Sequence, residues 1–307
     1  MNGVEFVGLL DKWIESLDYQ YEVLTSCTRN KSPRSTCQRC LEVCENNAII
    51  LENNRPIIQR NKCAECGNCI AACPVQAVAG IFPNREVFQN KLLVSNKPLP
   101  SVKEMLVLYK KGVREIVCED SSLTGSLNER VEAVNLILNQ LGEETFFILN
   151  NAFEKTEEVY SRREIFSLWK RESQSLMKQV TPAKWRFNHK QLDVTKYYSN
   201  HQFTNISINL DKCTLCKACE LLCEKKCFSI TETSFSITAQ ACFSCRLCVD
   251  ICPENAIWLE ERISAVKDIH YPIYKKQCCI CQKPFETIRE NEEQCVSCTK
   301  RKGFLSF

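Results

Sequence analysis

A spacing of four cysteines with a proline behind the last constrains this chain more than any other feature. It occurs at Cys63, Cys66, Cys69, Cys73 and Pro74, and again at Cys242, Cys245, Cys248, Cys252 and Pro253. Two-residue gaps let one loop supply three thiolates to an iron–sulfur cubane, whereas the fourth cysteine reaches a neighbouring cluster. Each motif therefore predicts a [4Fe-4S] cluster and a second one close by. The proline, which has no N–H and a fixed φ, marks the turn out of the loop.

Each run has a partner motif earlier in the chain. The partner of the second run is complete, at Cys213, Cys216, Cys219 and Cys223. In the partner of the first run, Cys37, Cys40 and Cys44 keep the spacing, but the first ligand is missing from its usual place. Cys27, which stands ten residues before Cys37, is the natural substitute.

Crosswise pairing of the halves predicts four ligand sets. Cluster 1 is assigned to Cys44, Cys63, Cys66 and Cys69; cluster 2 to Cys27, Cys37, Cys40 and Cys73; cluster 3 to Cys213, Cys216, Cys219 and Cys252; and cluster 4 to Cys223, Cys242, Cys245 and Cys248. Cys227 competes with Cys223, but it stands where the sister motifs have Ala48, Ala77 and Ala256, so we interpret it as a small buried residue. Because all these ligands are cysteines, no iron is left open for a substrate, and no catalytic residue is predicted.

The insertion between Cys27 and Cys37 carries cations. Arg29, Lys31 and Arg34 lie in it and Arg39 follows it. Because positive charge favours the reduced form of a cluster, we expect cluster 2 to have a higher potential than its sister cluster 1. The same patch is a candidate for receiving an acidic partner.

Composition favours metal ligation over disulfides. The chain has 23 cysteines among 307 residues, an odd number in tight groups. Glu5, Asp11, Glu15 and Asp18 are wrong for a secretory n-region, and no stretch approaches the ~18 apolar residues of a membrane span. We therefore predict a reducing, cytoplasmic location. The formal net charge of +3 counts thiols as neutral. Metal-bound thiolates make the holoprotein acidic, so the charge is no argument for nucleic-acid binding.

Other segments predict helices and a small sheet. Residues 2–26 have the periodicity of an amphipathic helix, packed over the first cysteine-rich part or docking a partner. Between 87 and 151, strands near 91–95, 115–118 and 145–149 alternate with helices opened by capping boxes at Ser101 and Ser126, which predicts a parallel sheet. No nucleotide-binding motif occurs there. Cys118, at a strand end, is read as inert, with a reactive thiol as the alternative.

A basic helix is predicted around 161–170. Its Ser161-Arg-Arg-Glu sequence looks like a twin-arginine export motif, but it is neither N-terminal nor followed by an apolar stretch, so we reject export. The segment is interpreted as a helix that packs on or recruits a partner. His189, His201 and His270 lie far from any cysteine motif and are not predicted ligands.

The tail predicts one tetrahedral metal site. Its candidate ligands are Cys278, Cys281, Cys295 and Cys298. Paired two-residue gaps fit two thiolate knuckles around a structural zinc ion, and a rubredoxin-like iron is the alternative. Cys279 is the spare thiol, because pairing through it shortens the gap to one residue.

The predicted fold class is therefore α+β, with two dicluster modules around a small α/β insert and a zinc-ribbon-like tail. The predicted boundaries are 1–86 for a helix and the first dicluster module, 87–157 for the α/β domain, 158–205 for a helical linker, 206–265 for the second dicluster module and 266–307 for the tail.

The four repeats resemble bacterial two-[4Fe-4S] ferredoxins, duplicated around the insert. The whole arrangement is similar to polyferredoxins, and the resemblance implies one-electron transfer as a subunit of a cytoplasmic oxidoreductase of the molybdenum-enzyme or hydrogenase type. A likeness to ferredoxin-type accessory proteins implies the alternative, a maturation factor for such an enzyme. A third reading, a DNA-binding regulator using the tail, lacks a recognition helix. The implied partners are proteins, with no small-molecule substrate, nucleic acid or membrane span.

Overall fold

The computed structural model describes residues 21–80, 85–95, 98–118, 120–149 and 192–304. The chain forms two compact units. The first comprises Met1–Cys27 and Gln38–Val194, and the second comprises Thr28–Cys37 and Thr195–Phe307. Both mix short helices with small sheets, as the predicted α+β class requires. Residues 2–20 of the helix predicted over 2–26, the helix predicted at 161–170 and His189 lie outside the described residues.

The elements are short except around the α/β part. The helices are α1 (Thr28–Lys31), α2 (Arg39–Glu42), α3 (Asn68–Ala72), α4 (Val102–Lys110), α5 (Thr124–Gln140), α6 (Val194–Tyr197), α7 (Ala218–Leu222), α8 (Leu247–Ile251) and α9 (Val296–Phe304). The strands are β1 (Glu22–Val23), β2 (Ile49–Glu52), β3 (Arg55–Ile58), β4 (Val78–Ala79), β5 (Glu86–Phe88), β6 (Lys91–Val94), β7 (Glu115–Cys118), β8 (Phe147–Leu149), β9 (His201–Ile208), β10 (Phe228–Ile230), β11 (Ser234–Thr238), β12 (Ile257–Ala265), β13 (Asp268–Pro272), β14 (Tyr274–Gln277) and β15 (Pro284–Thr287).

Small antiparallel pairs frame the first cysteine-rich part. β1 pairs with β4, and β2 and β3 form a hairpin whose two turn residues, Asn53 and Asn54, have positive φ, as a tight two-residue turn requires. The predicted helix over 2–26 is therefore wrong at its end, where β1 lies. Tyr21 packs so closely over Gly80 that a Cβ there would lie 2.4 Å from the Tyr21 ring.

The α/β part contains the predicted parallel sheet. β6, β7 and β8 pair in parallel, and β5 adds an antiparallel edge strand that the sequence pattern does not predict. The capping box of Ser101 is confirmed, because its side chain accepts from the Glu104 N–H at 3.3 Å and the Glu104 carboxylate accepts from the Ser101 N–H at 2.6 Å. The capping box at Ser126 is wrong, because α5 already begins at Thr124 after a 3₁₀ turn.

In the second unit two sheets enclose one core. β9 pairs with β12 along nearly their whole lengths, and β10, β11 and β13 form a three-stranded antiparallel sheet. Side chains of β9 alternate between buried and half-buried, as a strand with one covered face requires. β13, which falls in the tail by sequence, is the edge strand of this sheet. The tail itself holds the β14–β15 hairpin and α9.

Candidate metal centres

The same turn follows the last cysteine of all four motifs. The residue three positions after that cysteine has positive φ at Asn47, Gln76, Lys226 and Asn255. The N–H of the next residue then donates to the cysteine sulfur: Ala48 to Cys44 at 3.2 Å, Ala77 to Cys73 at 3.1 Å, Cys227 to Cys223 at 3.4 Å and Ala256 to Cys252 at 3.2 Å. An N–H aimed at sulfur favours the thiolate, which is the form that binds metal.

Three of the motifs also share a loop that curves around the second of their four cysteines. Positive φ occurs on both sides of it, at Glu65 and Gly67, at Leu215 and Lys217, and at Ser244 and Arg246. Successive backbone N–H groups in such turns form concavities that bind anions, including iron–sulfur clusters. Gln38, in the first motif, has φ −130° instead. The motif with the missing ligand therefore departs from the shared backbone as well.

The ligands predicted for cluster 3 line one cavity. Cys213, Cys216, Cys219 and Cys252 all border a space with an empty volume of about 380 Å³, part of it open to solvent. Its remaining wall is largely apolar and includes Phe235 and Ile257. Two motifs that are separated in the sequence thus meet around a space with four thiols and little else that is polar.

The thiols assigned to cluster 1 are close to one another. Burial raises the pKa of Cys69 to about 12, and the neighbouring Cys66, Cys63 and Cys44 thiolates contribute to that rise. Burial raises the pKa of Cys63 as well, with Cys66 and Cys44 again among its neighbours. Such a group resists ionisation unless a cation is present, because several thiolates would otherwise repel one another in a desolvated site. The donor set fits a metal cluster.

Cluster 4 has the same character. Burial raises the pKa of Cys245 to about 11, and it raises the pKa of Cys248 further still. Cys242 and Cys223 lie near both of these thiols. The four predicted ligands of this cluster therefore lie close enough for their charges to affect one another.

Cys227 is an additional thiol at this site. It is 2% exposed, which confirms its predicted burial, and it hydrogen-bonds the sulfurs of both Cys223 and Cys242. These bonds raise the pKa of Cys227 and lower that of Cys223 to about 6. Cys227 thus stays protonated, and its single S–H donates to one of these two predicted ligands at a time. Its position in the repeat indicates the burial, but the two sulfur contacts appear only in three dimensions.

The predicted ligands of cluster 2 are divided. Cys27, Cys40 and Cys73 pack against the core of the first unit. Cys37 is the last residue of the segment Thr28–Cys37, which belongs to the second unit, and its charge contributes to raising the pKa of Cys245 there. This ligand set stays a prediction.

The cations of this segment differ from expectation in their contacts. The sequence predicts them beside cluster 2, and Arg29 does donate to the carbonyl of Cys37, a predicted ligand of that cluster, at 2.5 Å. Lys31, however, pairs with Glu224, and the Arg34 guanidinium donates to the Ile251 carbonyl at 3.4 Å. Thr36 donates its N–H and its hydroxyl to the two Asp250 carboxylate oxygens, at 2.8 and 3.0 Å. These contacts lie next to Cys223, Cys248 and Cys252, so the segment's charges act on the second unit.

The tail contains the predicted four-cysteine group. The sulfurs of Cys278, Cys281, Cys295 and Cys298 lie within 4.8 Å of one another. The N–H groups of Cys281 and Cys295 donate to the Cys278 sulfur and lower its pKa to about 6. Close thiols with backbone donors are typical of a single tetrahedral ion. Cys279 is exposed and stands outside the group.

This geometry predicts different effects for the two adjacent thiols. We expect Cys278→Ser to abolish the binding of one metal ion by the tail, because it removes one of four thiolates. Cys279→Ser should leave the metal content unchanged. Metal analysis of both variants by mass spectrometry under native conditions checks this. Loss of metal in the Cys279 variant would show that the knuckle uses the other thiol.

Cys118 and the described histidines offer weaker evidence for a functional site. The half-buried Cys118 thiol donates to the Asp120 carbonyl at 3.2 Å and lies 3.9 Å from the Thr124 hydroxyl, with no second titratable group in these contacts. Among the described histidines, the His270 ring contacts the Ser236 hydroxyl at 2.9 Å.

No protein-family model matches the chain, and a search of curated proteins finds no match. Within the described ranges, no helix is long and apolar enough to cross a bilayer.

Proposed function

We propose that this chain is an iron–sulfur electron-transfer protein with four [4Fe-4S] clusters in two ferredoxin-like modules. The observation that carries the proposal is the cavity bordered by Cys213, Cys216, Cys219 and Cys252. Three of these cysteines come from one motif and the fourth from the next, which is the crosswise pairing of a two-cluster module.

Neighbouring ligand sets support a relay. Cys219, assigned to cluster 3, is close enough to contribute to the raised pKa of Cys248, assigned to cluster 4. Likewise Cys40, assigned to cluster 2, contributes to the raised pKa of Cys69 in cluster 1. Thiols of paired clusters at such short range favour electron exchange inside each module.

The surroundings favour storage and passage of electrons over chemistry on a substrate. Each predicted cluster has four cysteine ligands, and apolar residues such as Ile70, Ile251 and Ala256 are buried beside them. We therefore propose a non-catalytic subunit or partner of a larger cytoplasmic oxidoreductase, with protein redox partners. In the tail, zinc in a ribbon-like site is the proposed occupant, with a rubredoxin-like iron as the alternative.

Anaerobic purification tests the proposal. We expect about sixteen iron and sixteen sulfide per chain, one zinc, and spin-coupled EPR signals on reduction. About eight iron, or no reducible signal, would contradict a four-cluster relay.

A maturation factor for an oxidoreductase is the second candidate. The α/β part has no role in a simple electron shuttle, yet it exposes apolar side chains at Leu136 (65% exposed) and Phe147 (60% exposed). Single exposed apolar residues are ordinary on protein surfaces, so the observation that favours this candidate is the presence of the α/β part itself. Stoichiometric co-purification with a mature catalytic subunit favours the relay, whereas binding to the immature subunit alone favours the maturation factor.

A further inference from the structure

The tail contacts both loops that supply the ligands of cluster 3. The Arg289 guanidinium donates to the Asp211 carbonyl at 3.1 Å, two residues before Cys213. Lys300 of α9 pairs with Glu254 at 2.5 Å, two residues after Cys252. Two cations of the tail are therefore held beside the first and last ligands of one predicted cluster.

One N–H group of the Arg289 guanidinium has no acceptor within the part of the chain that the structure describes. Its Nη1 binds the Asp211 carbonyl and its Nη2 pairs with the Glu292 carboxylate at 2.6 Å. Its Nε is buried and has no hydrogen-bond partner among the described residues. A buried guanidinium N–H without an acceptor is costly, so such a group points to an acceptor that binds there.

The Cys213 thiol is the acceptor that we assign to this donor. Burial raises the pKa of the Cys213 thiol, and the charge of Arg289 opposes that rise, which indicates that the guanidinium lies close to this sulfur. A metal-bound thiolate at Cys213 would supply the negatively charged acceptor that the Arg289 Nε–H lacks.

Resting on the proposed function, we propose that Arg289 is a positioning residue of cluster 3: it donates to the Cys213 thiolate and raises the reduction potential of that cluster. A positive charge and a hydrogen bond to sulfur both stabilise the more negative, reduced form.

The tail metal then controls this effect. Arg289 lies in the stretch between the two cysteine knuckles, and its own N–H donates to the Thr287 hydroxyl at 3.1 Å, at the end of β15. Because the ion holds both ends of this stretch, its loss frees the backbone that positions Arg289. The tail would thus couple metal occupancy to the potential of cluster 3 without itself carrying electrons.

Redox titrations followed by EPR on the full chain test the inference. The signal of cluster 3 is first assigned as the one lost in Cys213→Ser. We expect Arg289→Gln to lower its midpoint potential by about 59 mV, which corresponds to a tenfold change in a one-electron equilibrium. Arg289→Lys keeps the charge but loses the planar guanidinium, so it should lower the midpoint potential by less than Arg289→Gln does. A Cys295→Ser/Cys298→Ser variant, confirmed to lack the tail metal, should reproduce the Arg289→Gln value.

Lys275→Gln is the matched control. Lys275 is an exposed tail cation paired with Glu232 on β10–β11 rather than with a cluster loop, so we expect no shift. If both variants keep a full iron content and cluster 3 has the same midpoint potential in Arg289→Gln as in Lys275→Gln, the inference is wrong. The proposed function would be unaffected by that result. A parent protein without reducible cubanes would overturn the proposed function, and the inference with it.

Discussion

Removal of iron from the proposed clusters is expected to unfold the second unit while the α/β part keeps its structure. The core of the second unit, built on Phe235, Ile237 and Ile257, packs directly against the cysteines of clusters 3 and 4. Without the proposed metal, buried thiols replace bonded thiolates and the cavity bordered by Cys213 and Cys252 has no group to fill it. Metal-binding free energy is folding free energy in such a domain, so the loss can equal its whole stability, about 5–15 kcal/mol.

Hydrogen exchange after anaerobic chelation measures this effect within one molecule. Amides of β11 should lose their protection, whereas amides of β6 and β7 should retain theirs, because Leu92 and Ile116 are buried in a sheet that supplies no predicted ligand. Equal protection in β11 before and after iron removal would show that the cysteine loops do not depend on clusters.

The second large effect is the loss of iron in defined steps when ligands are removed in pairs. Crosswise pairing predicts that Cys213→Ser/Cys252→Ser loses one cluster, because both ligands belong to cluster 3. It predicts that Cys213→Ser/Cys223→Ser loses two, although these residues belong to one motif. Iron content should therefore fall by about four atoms in the first variant and by about eight in the second.

Cys118→Ser is the control for this series, since its thiol lies outside the predicted ligand sets. Analysis of iron and sulfide per chain decides the outcome. The reverse order would mean that each motif holds its own cluster, contrary to the shared cavity of Cys213 and Cys252. Equal losses in the two double variants would contradict the crosswise pairing as well.

Local spacing was enough to predict several features that depend on neighbouring residues. The four sulfurs of the tail and the parallel strands β6, β7 and β8 follow from short motifs and from alternation of strands with helices. The turn behind each cysteine motif is equally local, because one residue with positive φ directs the next N–H to the sulfur.

Features that depend on distant residues could not be predicted in this way. Nothing near Arg289 in the sequence indicates that its side chain reaches the loop before Cys213. One local prediction failed as well: the capping box at Ser126 is wrong because the 3₁₀ turn directly before it allows α5 to start earlier, at Thr124. The segment Thr28–Cys37 is adjacent in sequence to cluster 2 ligands, yet Lys31, Arg34 and Thr36 contact residues more than 190 positions away.

The segment Thr28–Cys37 has a consequence for biosynthesis. Its hydrogen bonds between Thr36 and Asp250 span 214 residues, so they cannot form until most of the polypeptide has left the ribosome. At translation speeds of roughly 5–20 residues per second, the segment waits on the order of ten seconds or more for its partner. During that interval Cys37 is a nascent-chain thiol without its final neighbours. The segment therefore reaches its final position only at the end of the assembly order.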